Sequence, residues 1–416
     1  MHKSVVIVNH YLTGMGGKGG SRHYDLARVL ARKGWAVTLV GARAVTLMKM
    51  FSAASTENAD GVRFVWVPAP SYFGNGMGRF VNMIWFALRA SMLRKRILAA
   101  DPAVVVGSTV HPLAALAGWV LARRWGTTFV FEVRDIWPQS LVDLGRLSAN
   151  GLATRILRWI EVHLLRSASA VITLLPGSEQ YLVDSGAKRD AVAYIPNGVD
   201  LDMLRYVEQR QKPNDTLTLM YLGSHGEAHS LHHIIHAAAL IEADPRFDGN
   251  GVEFHFYGDG PEKPRLIELT RRLGVTNVRF EDGVPKSLIS EIGAKADGFI
   301  LSMPSADVFR YGISPNKLFD YMALGRPIIF CCNSSFNPVA ESDLGITVEP
   351  ESPKAMVEAV YELLKLGADK RAEFGTRALT YVRSKHDINL LGQRLENALL
   401  AAVLSHETSR IPRSGG

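Results

Sequence analysis

With 416 residues, the chain exceeds a single hydrophobic core, which stops growing at roughly 250 to 300 residues, so two domains are predicted. The composition, 47% hydrophobic and 21% charged, excludes an intrinsically disordered chain, and the adjacent cysteines Cys331 and Cys332 exclude a disulfide framework. A net charge of +7 favours phosphates, anionic lipid or nucleic acid as partners without selecting among them.

The first half of the chain alternates short apolar runs with helical patterns. The predicted strands and helices are, in order, residues 5–8, 24–33, 36–41, 62–68, 79–98, 104–106, 113–124, 129–132, 152–167 and 170–175. This alternation predicts parallel strands covered by helices on both faces. The run 5–8 is too short for a signal peptide, so we expect a cytoplasmic protein. His111-Pro112 divides the longer run 104–122, so we predict no transmembrane span.

Turn-forming residues at 196–200 (Pro-Asn-Gly-Val-Asp) separate this half from a second run of the same kind. The elements predicted there are residues 217–222, 231–243, 252–257, 262–273, 278–281, 286–295 and 298–301, followed by a last helix at 390–404. We predict a first domain at residues 1–200, a second at 201–385, a helix at 386–405 that crosses back to the first domain, and a flexible tail at 406–416. Each domain is expected to be a Rossmann-like, doubly wound α/β sheet. Such sheets bind ligands at the carboxyl ends of their strands, so the two are expected to face a central cleft.

A glycine-rich segment at residues 14–20 (Gly-Met-Gly-Gly-Lys-Gly-Gly) follows the first strand. Glycine allows close approach and the next helix N-terminus favours an anion, so the segment suits a phosphate. Gly14, Gly16 and Gly19 formally satisfy the dinucleotide motif, so a dehydrogenase stays open. Two features oppose it: the first glycine lies well beyond Val8, and residues 41–43 (Gly-Ala-Arg) offer no acid for a ribose.

Polar residues follow two strands of the first domain. His111 comes after strand 104–106, and Arg134-Asp135 follows strand 129–132. Because the carboxyl ends of parallel strands meet at one edge, these side chains are candidates for contacts with the reacting groups. A structural histidine is the alternative.

The most informative part of the second domain is residues 311–329. Ser314-Pro315 opens a helix, Lys317 lies in its first turn, and Asp320 follows on a neighbouring face. A cation there opposes the helix dipole, so the lysine either meets an anionic ligand or is solvated. Glycine-containing loops also follow strands at Gly223 and at residues 258–260 (Gly-Asp-Gly).

Several segments together resemble the retaining glycosyltransferases of family 4, near the branch that builds O-antigen and capsule repeats and includes fucosamine transferases. The matching pieces are Gly16-Gly17, His111, residues 132–138 (Glu-Val-Arg-Asp-Ile-Trp-Pro), 196–200, 258–260 and 314–327. The resemblance covers nearly the whole chain and implies the two-domain GT-B fold. It implies transfer of a sugar, N-acetylated or deoxy amino, from a nucleoside diphosphate donor, with UDP favoured, to a polyprenyl-diphosphate-linked or glycan acceptor. It also implies no essential metal and no cofactor beyond the donor.

The sequence departs from this family at two places. The family motif E-x(7)-E grips the donor; its second acid corresponds to Asp320, but the first falls at Gly312, so amides near Ile313 are expected to replace it. Residues 223–230 (Gly-Ser-His-Gly-Glu-Ala-His-Ser) lack the arginine and lysine that often clamp the diphosphate, and we expect Arg310 and Lys317 to supply that charge.

We assign His111 to positioning the sugar, Asp135 to orienting the acceptor hydroxyl, and Arg134 to the acceptor or phosphate side. The residues expected to bind the donor are Gly16, Gly17, Gly223, Ser224, Gly258, Asp259, Arg310, Gly312, Ile313, Ser314, Asn316, Lys317 and Asp320.

The predicted helix 79–98 carries apolar residues nearly all round, more than packing on one sheet requires. Its membrane-side or acceptor-side residues are expected to be Trp85, Arg89, Arg94, Lys95 and Arg96. Because each cation contributes about 1 kcal/mol near anionic lipid, we expect peripheral contact with the inner face of a bacterial inner membrane. A dimer interface or a deeper core is the alternative.

Two further functions stay open. A sugar-nucleotide epimerase would share the GT-B fold and would convert a sugar nucleotide without an acceptor. A nucleic-acid-binding protein would explain the charge, but the sequence has neither zinc-finger spacing nor an aromatic RNP-like strand.

Overall fold

The protein is described by a computed structural model that covers residues 2–13, 21–72, 74, 76–204, 206–207, 216–248 and 251–410. The chain divides into two compact units, Met1–Pro196 with Ile388–Gly416, and Asn197–Asp387. The sequence put the first boundary at residue 200, whereas residues 197–200 join the second unit. There Val199 pairs with Asp387, and the His386 Nδ1 and the Asn197 carbonyl oxygen are 2.8 Å apart.

The first unit contains one eight-stranded sheet. Its elements are β1 (Ser4–Val8), α1 (Arg22–Arg32), β2 (Ala36–Val45), β3 (Ser55–Ala59), β4 (Val62–Pro70), α2 (Met77–Ser91), β5 (Val104–Ser108), α3 (Pro112–Trp125), β6 (Thr128–Val133), α4 (Gln139–Asp143), α5 (Leu152–Ser167), β7 (Ala170–Thr173), α6 (Glu179–Asp184) and β8 (Val192–Tyr194). The strand order is β3-β4-β2-β1-β5-β6-β7-β8, and every pair other than β3–β4 is parallel.

The second unit is built on a six-stranded parallel sheet. Its elements are β9 (Leu217–Leu222), α7 (Leu231–Glu242), β10 (Val252–Tyr257), α8 (Lys263–Leu273), β11 (Val278–Glu281), α9 (Ile289–Gly293), β12 (Gly298–Ser302), α10 (Asn316–Ala323), β13 (Ile328–Cys331), α11 (Pro338–Glu341), β14 (Gly345–Val348), α12 (Pro353–Lys365) and α13 (Gly367–Lys385). The strand order is β11-β10-β9-β12-β13-β14. The two predicted doubly wound sheets are therefore confirmed.

Both faces of the first sheet are covered, which explains its continuous valine-rich strands. Along β1, Val5 and Ile7 join one core, while Val6 and Val8 join the other, because successive side chains of a strand point to opposite faces. Helix α1 and the last helix, α14 (Ile388–Arg410), pack on the first face, and α2, α3 and α5 pack on the second.

Helix α14 is held to the first unit by apolar and ionic contacts. Its leucines enter the core beside α1, and Glu396 accepts hydrogen bonds from the Trp35 indole at 3.0 Å and from Lys3 at 2.9 Å. These bonds hold the pKa of Glu396 at about 2, well below its ordinary value, with the Trp35 bond the largest cause. The helix extends beyond the predicted bounds of 390–404, to Arg410.

The extent of one predicted helix in the first unit is wrong. The predicted helix 79–98 ends at Ser91, because the chain turns so that Leu93 and Leu98 enter the core. The predicted strand 62–68 is confirmed as β4, but its hairpin partner β3 was not predicted, although Asp60 and Gly61 both adopt positive φ and join β3 to β4 in the tight turn that Asp-Gly favours. In the described part of the chain, no helix is both long and apolar enough to cross a membrane.

Candidate functional site

The order of strands in the first unit reverses between β1 and β5, and open parallel sheets bind ligands at such a reversal. Asn9 and His10 follow β1 there, and Thr109 to His111 follow β5. The His10 Nδ1 and the His111 Nε2 are 2.6 Å apart, and both side chains are buried. The reversal therefore brings together two histidines from distant parts of the chain.

The hydrogen bonds around His111 define its protonation. The Ala114 amide donates to the His111 Nδ1 at 3.2 Å, so the ring proton lies on Nε2 and is donated to His10. Burial lowers the pKa of His111 well below its ordinary value, and the neighbouring His10 and Arg79 add to this shift. Burial also lowers the pKa of His10 to about 4. Both histidines are therefore neutral at pH 7.

Aromatic rings and one arginine complete this cluster. His10 stacks between Tyr11 and Phe86, with ring centroids 4.4 Å apart in both cases. Arg79 donates from Nε to the Tyr11 hydroxyl at 3.0 Å and lies over the same ring. A cation and a phenol thus stand at the carboxyl end of β1, next to the histidine pair.

A buried ionic network supports the ends of β5 and β6. Glu132 accepts from Arg22 at 3.0 Å, and its other oxygen lies 2.6 Å from the His23 Nε2 and from the Ser108 hydroxyl. Burial favours the neutral acid, but His23 and Arg22 hold the pKa of Glu132 well below its ordinary value. Arg22 also donates to the carbonyl oxygen of Ile195. The network fixes the strand ends that carry the candidate site.

Arg134 and Asp135 follow β6, where the sequence placed them. Arg134 is half-buried and Asp135 is exposed. Desolvation of the carboxylate by the surrounding protein raises the pKa of Asp135, while the positive charge of Arg134 opposes the rise. The Thr109 hydroxyl accepts from the Arg134 amide at 2.9 Å, which ties the two strand ends together. Within the described residues, Asp135 makes no hydrogen bond to His10 or His111.

In the second unit the strand order reverses between β9 and β12. The loops after β9 and β10 touch there: a Cβ atom on Gly258 would lie 1.8 Å from the Gly223 carbonyl oxygen. The His225 amide donates to the Asp259 carbonyl oxygen at 2.9 Å. Only glycine permits this approach, so Gly223 and Gly258 position the loop of residues 223–230.

Lys317 crosses this loop from the first turn of α10. Its Nζ atom lies 3.1 Å from the His229 Nε2 and 5.7 Å from the centre of the Tyr221 ring. Burial lowers the pKa of Lys317 to about 8, and Asp320 opposes this shift. The lysine is therefore a largely desolvated cation at the carboxyl end of β9 rather than a solvated side chain.

The other predicted donor residues occupy varied surroundings. Arg310 is exposed and donates to the Tyr311 hydroxyl at 3.0 Å. Ser314 accepts from the Asn197 amide at 2.9 Å through its hydroxyl, so it also has a structural bond. Gly312 has φ 95°, a conformation that an acidic side chain rarely adopts. Asn316 and Asp320 are half-buried, Ile313 is buried, and Asp259 is exposed. Gly16 and Gly17 lie outside the described residues.

Helix α2 exposes a continuous apolar stripe. Its members recur every three or four residues and are Met77, Phe80, Val81, Ile84, Leu88 and Met92. Met77 is 74% exposed and Met92 is 64% exposed. Trp85 is half-buried against Phe51, while Arg94, Lys95 and Arg96 are exposed beyond the helix end. Arg89 donates to the Ser52 carbonyl oxygen at 2.6 Å.

Sequence reasoning missed His10, Tyr11 and His229. His10 follows β1 as His111 follows β5, so the rule that selected His111 would have found it. His229 carried no such signal, because its position depends on the path of Lys317. In the described residues, no group of three or more histidine, cysteine or acidic side chains is arranged to hold a metal ion.

Comparisons with known proteins agree with this architecture. Residues 19–198 match the family described as "Glycosyl transferase 4-like domain", and residues 216–366 match "Glycosyl transferases group 1". WcaI of Escherichia coli (strain K12), a glycosyl transferase assigned to colanic acid biosynthesis, is 24% identical over 311 residues, which are 70% of this chain and 72% of that protein.

Two solved structures are similar over nearly the whole chain. Sucrose-phosphate synthase from Thermosynechococcus elongatus has a TM-score of 0.71 at 17% identity, covering 96% of this chain and 100% of that one. HepE from Anabaena, in complex with UDP-glucose, has a TM-score of 0.65 at 13% identity, with 96% and 100% covered. The fold is therefore that of the GT-B glycosyltransferases.

Within that class, the two matched domains identify the family. The chain belongs to the glycosyltransferases that join a glycosyl transferase 4-like domain to a group 1 domain. The predicted GT-B fold and glycosyltransferase class are confirmed. Assignment to the fucosamine-transferase branch stays a prediction.

Proposed function

We propose that this glycosyltransferase moves a sugar, N-acetylated or deoxy amino, from a UDP donor to a polyprenyl-diphosphate-linked or glycan acceptor with retention of configuration. The proposal includes a role in bacterial surface polysaccharide synthesis, which the likeness to WcaI supports. The observation that carries it is the desolvated ammonium of Lys317 at the strand reversal of the second unit, with Asp320 one helical turn away.

This arrangement suits the chemistry of sugar transfer. Breaking the donor bond leaves a nucleoside diphosphate, whose growing negative charge needs fixed positive charge close by. Lys317 supplies such a charge from a shielded position, where electrostatic attraction is stronger than in water. Arg310 is proposed as a second cation, and Asp320 as the ligand of the ribose hydroxyls. The proposal needs no metal ion and no cofactor.

The reacting end of the donor is assigned to the first unit. Asp135 is proposed to accept a hydrogen bond from the acceptor hydroxyl, since its raised pKa makes it a better proton acceptor than an ordinary aspartate. Arg134 is proposed to bind the acceptor or its phosphate. His111 is proposed to position the sugar. Both ring nitrogens of His111 are already hydrogen-bonded, so its Nε2–H must exchange the bond to His10 for a bond to the sugar.

We also propose that the protein binds peripherally to the cytoplasmic face of a bacterial inner membrane. The stripe on α2 and the cations that follow it support this proposal, and residues 62–100 contain no acidic residue to repel anionic lipid. The affinity of the protein for vesicles that contain anionic lipid tests this proposal.

A panel of sugar nucleotides tests the donor proposal. Because a ligand that binds only the folded protein stabilises it, UDP-sugars should raise the melting temperature of the full chain, and GDP-sugars and TDP-sugars should raise it less. Asp320→Ala should lose most of this shift, whereas Asp282→Ala, at an exposed aspartate of the same unit, should keep it. No response to any nucleotide would contradict the donor site.

A further inference from the structure

Two imidazoles, one hydroxyl and one ammonium group meet at the carboxyl end of β9. The His229 Nε2 lies 3.1 Å from the Lys317 Nζ and 3.4 Å from the Ser224 hydroxyl. The rings of His225 and His229 both contact Tyr221, with centroids 6.0 and 5.9 Å from its ring. The loop of residues 223–230 itself contains no arginine or lysine, so Lys317 brings the ammonium group to it from α10.

The path of Lys317 through the cluster is fixed by backbone geometry. A Cβ atom on Gly223 would lie 1.8 Å from the Lys317 Cε atom, so the lysine stem lies directly on the bare glycine. Helix α10 is held in place by Tyr321, whose hydroxyl bonds to the Leu222 amide at 2.8 Å and to its carbonyl oxygen at 3.1 Å. The ammonium group therefore has little freedom to leave His229.

The contact between Lys317 and His229 has a direction. An ammonium group only donates, so the His229 Nε2 accepts, and the imidazole is neutral with its proton on Nδ1. That Nδ1 atom is buried and has no hydrogen-bond partner within the described residues, and the same holds for both ring nitrogens of His225. The cluster thus holds donors that the described protein leaves unused.

Burial favours the neutral forms of both imidazoles and of the lysine in the cluster, and the nearby aspartates oppose it. Burial lowers the pKa of His229 to about 3, helped by Lys317 and His225. Burial lowers the pKa of His225 to about 4, with Lys263 adding to the shift and Asp259 opposing it. Asp320 is the group that favours the charged form of Lys317. At neutral pH Lys317 therefore gives the cluster one positive charge, which is lost as the pH rises through about 8.

We propose that His229 is a positioning residue for the donor diphosphate, accepting the hydrogen bond that holds the Lys317 ammonium over Gly223. This inference rests on the proposed function of the site. Phosphate oxygens beside Lys317 favour its charged form. With a diphosphate bound, the lysine therefore stays protonated at a pH at which it would otherwise lose its proton. Linkage then requires proton uptake on binding, which grows as the pH rises through about 8, and weaker binding at higher pH.

Calorimetry with UDP on the full chain tests this coupling. Titrations at pH 8 in buffers with different ionisation enthalpies should show uptake of about half a proton, since a group with a pKa near 8 is then half protonated. The dissociation constant should rise about tenfold between pH 7 and pH 9, because about one tenth of the lysine is protonated at pH 9. Lys317→Arg keeps its charge at every pH, so it should bind UDP without this uptake.

Paired variants at position 229 separate positioning from folding. His229→Gln retains an acceptor and should bind UDP within about twofold of the parent, whereas His229→Leu should weaken binding about fivefold, the effect of one net hydrogen bond. His232→Gln, at an exposed histidine of α7, should change neither binding nor proton uptake. The melting temperature of each variant without ligand checks that it folds.

The outcomes separate this inference from the proposed function. UDP binding with no proton uptake at pH 8, or equal affinity of folded His229→Leu and the parent, overturns the inference and leaves the donor site standing. Failure of the parent to bind UDP, GDP or TDP at any pH overturns both.

Discussion

His10 and His111 are 101 positions apart in sequence, yet their rings share a hydrogen bond because they follow neighbouring strands at the point where the strand order reverses. Their protonation follows from one backbone contact: the Ala114 amide occupies the His111 Nδ1, which leaves its Nε2 proton for His10. The pair is therefore a neutral donor–acceptor couple. A neutral pair can exchange hydrogen bonds with a sugar hydroxyl, but it supplies no positive charge at pH 7.

His111→Ala should lower the rate of sugar transfer by about 100-fold or more, because a positioning contact near the reacting centre is lost. The dissociation constant for UDP should change by less than about twofold, since the nucleotide is assigned to the second unit. Transfer rates and calorimetric affinities on the same preparations measure both quantities. His2→Ala, at an exposed histidine, serves as the control. Transfer at the parental rate by His111→Ala would remove that residue from the site.

The rule that polar residues at strand ends form sites selects His111 and Asp135 as candidates, and both follow strand ends in the structure, but the rule does not say which side chains meet. Partners that depend on the sheet order, such as His10 for His111, were beyond a linear reading. His229 meets Lys317 only because Gly223 leaves space for the lysine stem. Packing of a side chain against one particular glycine leaves no periodicity or motif in the sequence from which it could be predicted.

Helix α2 is the element whose surface is least explained by packing within the first unit. Asn82, Phe86 and Ala90 face the core, and the opposite side carries the apolar stripe. Exposed apolar residues combined with nearby basic residues are typical of helices that lie at a bilayer surface. Because the helix ends at Ser91, Arg94, Lys95 and Arg96 lie in a separate exposed turn that follows it.

Replacing Arg89, Arg94, Lys95 and Arg96 together by glutamine should weaken binding to vesicles that contain anionic lipid by more than about tenfold, because each cation contributes about 1 kcal/mol. Binding of the parent should also fall in high salt. Co-sedimentation with vesicles of defined phosphatidylglycerol content measures both effects.

The matched control neutralises four exposed arginines of the second unit, Arg265, Arg271, Arg272 and Arg279. It lowers the net charge by the same amount and should retain most of the binding. Equal loss in both variants would mean that net charge, not the α2 surface, attracts the lipid.

Element prediction succeeds where periodicity is strong and fails where the chain changes direction. Helix α5 has the predicted bounds of 152–167, whereas α2 ends before its predicted end because Leu93 and Leu98 must reach the core. The β3–β4 hairpin was missed although Asp60-Gly61 is a strong turn signal. Burial of leucines after a helix end is a tertiary effect that the local pattern does not contain.

At the scale of the whole molecule, each unit is a doubly wound sheet with its candidate residues at one strand reversal. The alternation of strands and helices was enough to predict this fold class, because parallel strands require crossover helices. The order of the strands and the return of α14 to the first sheet determine which residues meet. Helix α14 packs there through leucines that share a face, and Glu396 bonds to Trp35 across that contact.

The most direct test of the account is sugar transfer itself. Purified full-length protein is incubated with a panel of UDP-sugars and a polyprenyl-diphosphate-linked acceptor, and UDP release and the anomeric configuration of the product are measured by enzyme-coupled assay and NMR. We predict acceptor-dependent UDP release and a product that retains the configuration of the donor. Conversion of the sugar nucleotide without acceptor, a product of inverted configuration, or no transfer from any nucleotide class would contradict the account.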